Sequence, residues 1–137
     1  MFTFKTQIYL RDTDAAGIIF FARQFNIIHD TYELFLEKIG FSFTKVFKEN
    51  KFFFPIVHAE STYKSPLHVG DRIQVSVKVG HLGNSSFVLL YDIHNTKGRL
   101  VGTAKTVHVA IKAKSSTKIP LPKTLRQALQ KHLIPTD

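Results

Sequence analysis

Arg11-Asp12-Thr13-Asp14-Ala15-Ala16-Gly17-Ile18-Ile19-Phe20-Phe21 sets two carboxylates one residue apart, ahead of a small-residue turn and four apolar residues. The apolar run leads into helical periodicity from about Ala22 to Ile39. Phe21, Phe25, Ile28, Tyr32, Phe35 or Leu36, and Ile39 recur at three- and four-residue steps, and Gly40 follows as a C-cap. Asn26, His29, Asp30, Glu33 and Glu37 occupy the other side. With Ile27, Leu34 and Leu36 added, more than half the circumference is apolar, so other elements must wrap this helix. An isolated D-x-D is most simply a helix cap or a solvated turn. A carboxylate left beside such apolar company is out of place unless it has chemistry to perform.

Upstream, Phe2, Phe4, Ile8 and Leu10 alternate with Thr3, Lys5, Gln7 and Arg11, the pattern of a half-buried strand that ends at the D-x-D. Gly17 then gives the chain room to turn, because glycine tolerates positive φ. Downstream, Phe41 to Phe54 reads as a short helix and a loop. Strands follow over Ile56–Tyr63, around Ile73–Val79, over Ser86–His94 and over Leu100–Ile111, with Asn95-Thr96-Lys97-Gly98 as a hairpin turn. The strand from Ser86 is apolar on both faces in its first half, as a central strand should be. Pro120 and Pro122 precede a short amphipathic helix from Lys123 to Leu133. One strand, one long apolar helix, four antiparallel strands and a terminal helix make an α+β chain, a curved sheet wrapped round a central helix.

The 137 residues predict a single domain that buries about two thirds of its unfolded surface. The chain has no cysteine and no HExxH or clustered His/Asp spacing, which argues against a disulfide framework and a metal site. No stretch approaches a membrane span and no charged n-region precedes an apolar core, so the cytoplasm is the expected location. The net charge of +9 is uneven: nine Lys or Arg and no acid lie between Ile93 and Thr136. That asymmetry points to an anionic partner such as a phosphate-bearing ligand or nucleic acid. The aromatics fall in core periods instead of interleaving with the basic residues, which disfavours nucleic acid.

Strand, D-x-D-x-x-G, aromatic pair, buried helix and four strands together resemble the hotdog-fold acyl-CoA thioesterases of the 4-hydroxybenzoyl-CoA thioesterase type, over nearly the whole chain. Asp12-Thr13-Asp14-Ala15-Ala16-Gly17, His29-Asp30-Thr31-Tyr32-Glu33, Pro55-Ile56-Val57-His58-Ala59, Gly70-Asp71-Arg72 and Pro120-Leu121-Pro122 are similar to the strings of 1,4-dihydroxy-2-naphthoyl-CoA hydrolases, enzymes of phylloquinone and menaquinone synthesis. The resemblance implies hydrolysis of an acyl-CoA thioester with no cofactor, coenzyme A being part of the substrate. It implies a homotetramer built from hotdog dimers with each site between two subunits. It makes Asp14 the catalytic carboxylate, as nucleophile or as base, and the backbone N–H at Phe21 the oxyanion donor. The chemistry agrees. A thiolate leaves without a strong acid, and the N–H groups of a helix N-terminus meet a developing oxyanion at no reorganisation cost.

Asp12 and Gly17 would support that turn, and His58 would flank the pocket. Glu33 is the rival nucleophile, because a second thioesterase lineage with this fold uses a helix-borne glutamate; a solvated polar stripe is its plainer reading. The resemblance assigns Ser85 and Ser86 to the nucleotide end of coenzyme A. Relatives carry paired arginines near that point where this chain has Gly83 and Asn84, so other cations, such as Lys112, Lys114 and Lys118, must meet the phosphates. Two other functions fit the same pattern: a thioesterase for fatty acyl-CoA or acyl carrier protein, and a non-catalytic acyl-CoA or nucleic-acid-binding module.

Overall fold

Alternation in the second half of the chain becomes strand pairing in the computed structural model, which describes residues 1–135. The elements are β1 (Phe2–Gln7), a 3-10 turn (Leu10–Asp12), α1 (Phe21–Lys38), α2 (Phe43–Glu49), β2 (Phe52–Phe53), β3 (Ile56–Tyr63), β4 (Arg72–Leu82), β5 (Ser86–Asn95), β6 (Leu100–Val109), β7 (Ile111–Lys112) and α3 (Lys123–Gln130). Five strands form one antiparallel sheet in the order β1-β4-β5-β6-β3. The strand expected at the centre, β5, is there. Register shifts in the β3–β6, β4–β5 and β5–β6 pairs bend the strands.

Helix α1 packs on the inner face, chiefly against β4 and β1. Its buried residues Ile27, Ile28, Thr31, Tyr32, Phe35 and Leu36 meet Val75, Val77, Phe87, Leu89, Tyr91 and Ile93 in one core. Gly40 ends the helix region with φ of 96°.

The C-terminal helix stops three residues before the sequence suggests. Beyond Val77 the edge of β4 has no β1 partner, and the chain after α3 takes that place: Val79 N–H donates to the His132 carbonyl and Ile134 N–H to that of Val79, both at 2.9 Å. Open backbone groups on a sheet edge outcompete another half-turn of helix. The stretch read as a loop before Pro55 contains β2, which pairs with β7.

The position of α1 against the free edge strand β3 is set by Gln24. This fully buried residue donates through Nε2 to Ser61 Oγ at 2.7 Å and to the Thr62 carbonyl at 3.2 Å, and Ser61 Oγ donates to the Thr103 carbonyl. Gly102 makes the room. A Cβ there would stand 3.0 Å from Gln24 Nε2 and 3.2 Å from the Thr62 carbonyl. Because one neighbour is backbone, Gly102→Ala is expected to destabilise the fold by about 1–3 kcal/mol, read as a lowered denaturant midpoint at unchanged m.

Candidate active site

The two carboxylates of the D-x-D do different jobs, and neither caps α1. Asp12 is 6% exposed. Its Oδ2 accepts the Tyr9 N–H at 2.9 Å, its carbonyl accepts the Phe20 N–H at 2.8 Å, and its Oδ1 lies 3.5 Å from Arg23 Nε. Arg23 Nε also donates to the Arg11 carbonyl at 3.1 Å. The end of β1, the turn and the first turn of α1 are thereby tied at one point.

Asp14 is exposed. Its Oδ1 accepts the Ala16 N–H at 2.9 Å in a short side-chain turn, while Oδ2 bonds to no described residue. Gly17, at φ of 81°, closes the same turn by donating to the Asp14 carbonyl at 3.0 Å. One carboxylate oxygen is thus held and the other is free.

Helix α1 begins without the usual polar cap. Phe20 stands at the N-cap and supplies no side-chain oxygen, and the Phe21 N–H donates to no described residue. Such an end keeps donors and the positive pole of the helix available. Phe21 itself is 63% exposed, and its carbonyl accepts the Tyr63 hydroxyl at 2.7 Å, which links the helix start to the end of β3. A free carboxylate oxygen and a free helix N–H on one tied turn are the parts that acyl transfer needs.

The other expected residues lie elsewhere in the same chain. Glu33 is exposed on α1, twelve residues from Phe21 and so about 18 Å along the axis. His58 is exposed on β3, with its Nε2 3.5 Å from Glu60 Oε2. Ser85 is buried, and its carbonyl accepts the Ala110 N–H at 2.8 Å; Ser86 is half-buried. Lys112 and Lys114 are exposed on and just after β7. Ser86 starts β5, whereas the D-x-D follows the end of β1 that pairs with the start of β4, across from Asn95. One strand length, about 30 Å, therefore separates the coenzyme A candidates from Asp14 of their own chain.

Near Gly83 and Asn84 the structure places a cation after all. Arg126 of α3 reaches that loop, its Nη2 donating to the Gly83 carbonyl at 2.6 Å and the Asn84 carbonyl at 3.2 Å. The signal was unreadable in the sequence, because Arg126 lies more than 40 positions from the loop it serves.

Between α1, α2 and the start of β3 lies an apolar cavity of about 370 Å³ walled by Phe43, Phe47, Phe53, Phe54, Ile56 and Tyr32. A larger open hollow of about 740 Å³ over β1 and the β5–β6 turn takes in neither carboxylate. Beneath the apolar cavity, His108 is stacked on Phe87 (4.6 Å, 4°) and faces Tyr32 at 4.6 Å. The Phe54 carbonyl, 3.4 Å away, only accepts, so His108 Nδ1 carries the proton. Nε2 then accepts from Thr106 Oγ1 at 2.8 Å, and that hydroxyl accepts from Tyr91 at 2.9 Å.

The thioesterase-like superfamily model matches residues 8–129, and this chain belongs to that superfamily, with the hotdog fold. Its similarity narrows further. It is 39% identical over 126 residues to the 1,4-dihydroxy-2-naphthoyl-CoA hydrolase of Microcystis aeruginosa, covering 92% of this chain and 91% of that one. With the corresponding hydrolase of Rippkaea orientalis the identity is 37%, over 90% and 91% of the two chains. The crystal structure of a 1,4-dihydroxy-2-naphthoyl-CoA thioesterase from Synechocystis superposes with a TM-score of 0.87 at 32% identity, over 94% of this chain and 95% of that one. A gentisyl-coenzyme A thioesterase gives 0.83 at 26%, over 93% and 98%. Among the described residues no helix is long and apolar enough to cross a membrane.

Burial lowers the His108 pKa from 6.5 to about 4. Above pH 6.5 the ring is neutral in both the folded and the unfolded chain and adds no pH dependence. As pH falls from 6.5 towards 4, the unfolded chain takes up a proton that the folded chain refuses, so stability drops by up to about 3 kcal/mol. Urea titrations at pH 7 and pH 4.5 should show that loss, and His108→Gln should reduce the difference between the two conditions.

Proposed function

We propose that this chain is a single-domain, cofactor-free acyl-CoA thioesterase that hydrolyses 1,4-dihydroxy-2-naphthoyl-CoA in the cytoplasm, on the route to phylloquinone or menaquinone. The observation that carries the reading is that an Asp14 oxygen and the Phe21 N–H, seven positions apart in the chain, each bond to no described residue. The substrate is argued from the relatives, whose named activities are hydrolysis of this thioester.

In this reading the thioester carbonyl lies against the Phe21 N–H and Asp14 faces its carbon. Two courses share that arrangement. Asp14 adds to the carbonyl and expels the coenzyme A thiolate, leaving a mixed anhydride that water opens; or Asp14 takes a proton from water, whose oxygen adds instead. Single turnover in ¹⁸O-water separates them, because only the anhydride course can leave label in the Asp14 carboxylate.

The site is completed by a second copy. Strand β3 is a free edge with Ile56, Val57, His58 and Tyr63 exposed, next to Phe20 and Phe21. A two-fold axis through that edge pairs β3 with its own copy antiparallel. The Ile56 end of one copy then meets the Tyr63 end of the other, where the partner's α1 begins. This arrangement brings His58 and, beyond it, Ser86, Lys112, Lys114 and Arg126 of one subunit towards Asp14 of its neighbour. It turns a 30 Å separation within the chain into proximity between chains. Two such dimers form the tetramer.

Asp14→Asn should lower kcat/KM by about 10²–10⁴-fold on every acyl-CoA hydrolysed, with thermal stability and coenzyme A binding retained. Unchanged turnover in that variant sinks the assignment. A wild-type preference for long aliphatic acyl-CoA over aromatic acyl-CoA would keep the thioesterase and replace the substrate.

A further inference from the structure

The wall of the aromatic cavity holds a buried hydroxyl that has no partner among the described residues. Tyr32 is 3% exposed, yet its hydroxyl forms no hydrogen bond with a described residue. Every sealed side-chain polar atom among the described residues has a partner. The Tyr32 hydroxyl is therefore not sealed, and Tyr32 is one of the residues that line the cavity. The ring has little freedom to turn away: His108 lies 4.6 Å from it, and His29 and Phe43 meet it edge-on at 5.4 Å and 5.7 Å. A hydroxyl held among phenylalanines offers an entering ligand one directed hydrogen bond, which a ring without a polar substituent leaves unmade. The cavity is also large enough for a ring system, since its volume falls in the range of small-ligand pockets.

Tyr32 does not serve Asp14 of its own chain. Eleven residues separate it from Phe21, about 16 Å along α1, which is farther than a bicyclic aromatic acyl group reaches. The cavity instead includes Phe54 and Ile56, the end of β3 that edge pairing sets against the partner's helix start.

Resting on the thioesterase reading and its β3-paired dimer, we infer that Tyr32 selects aromatic acyl groups bearing a ring hydroxyl, in a chamber that each copy offers to the thioester held at its partner's Asp14. The hydroxylated ring enters between Phe43, Phe47 and Phe53, and its hydroxyl pairs with that of Tyr32. An unsubstituted ring fills the same walls and leaves Tyr32 unpaired, so it is turned over less well.

The test compares kcat/KM for 1-hydroxy-2-naphthoyl-CoA and 2-naphthoyl-CoA. Tyr32→Phe should cut the ratio of the two about tenfold, the value of one hydrogen bond. An equal loss on both substrates, or an unchanged ratio, overturns the inference while the dependence on Asp14 keeps the thioesterase reading intact. A wild-type protein that hydrolyses neither overturns both. Mixing decides which copy supplies the group. Co-refolded Asp14→Asn and Tyr32→Phe chains form dimers in which one site joins an intact Asp14 to the other copy's intact Tyr32. The mixture should regain roughly a quarter of wild-type activity on the hydroxylated substrate, the statistical yield of such sites. Activity no higher than the Tyr32→Phe share alone overturns the assignment in trans. Should Tyr32→Phe fail to fold, Phe47→Trp narrows the chamber from its exposed rim. It must then lower kcat/KM for the naphthoyl thioesters more than for acetyl-CoA, and an equal effect overturns the chamber.

Discussion

Asp12 joins three pieces of chain that would otherwise diverge: the end of β1 through the Tyr9 N–H, the start of α1 through the Phe20 N–H, and the helix body through Arg23. A nearly buried carboxylate is stable there because every neighbour it meets is a donor or a cation. The consequence reaches beyond the turn. The Asp12 carbonyl takes the Phe20 N–H, and α1 begins at Phe21, whose N–H donates to no described residue. Asp14, one residue past the strand-like Thr13, is left outside the knot with an oxygen to spare. The division of labour between the two carboxylates is a result of which backbone groups each can reach.

The surface beside that knot is apolar. Phe20, Phe21, Tyr63, Ile56 and Val57 expose apolar surface along the free edge of the sheet and the helix end beside it. Proteins ordinarily blunt such an edge with charge, proline or cover; here the strand is eight residues long, and beside Glu60, His58 and Thr62 it exposes Ile56, Val57, Ala59 and Tyr63. An exposed Asp14 would gain little from the helix pole in bulk water, where the field is screened. Covering the edge raises the worth of every donor it encloses.

Residues close together in sequence were the legible ones. The turn at Gly17, the helix ended at Gly40 and the central place of β5 all follow from periodicity and short-range hydrogen bonding. Tyr63 on the Phe21 carbonyl, Gln24 on Ser61 and Thr62, and Arg126 on Gly83 and Asn84 did not. Each of these bonds spans some forty positions, and nothing local to either partner marks it. Of the two plain readings of the D-x-D, the helix cap failed for a local reason, since the turn donors at Tyr9 and Ala16 take the carboxylates, while Asp14 does sit in an exposed turn.

The thirteen phenylalanines show how position outweighs count. As composition they suit any core. In space, Phe41, Phe52, Phe54 and Phe87 form one chain of ring contacts that passes through His108 and Tyr32 to Phe43, Phe47 and Phe53. Seven of those nine rings come from Tyr32 and the segment between Phe41 and Phe54, which lacks the periodicity of a strand. Rings held edge-on and face-on by one another keep fixed orientations, so a short helix, a two-residue strand and the loops beside them present one wall. The polar chain from Tyr91 through Thr106 to His108 is fully paired and fastens the floor beneath that wall. That floor bears on the Tyr32 ring, which His108 meets at 4.6 Å. A hydroxyl of fixed direction discriminates between ligands far more sharply than a mobile one.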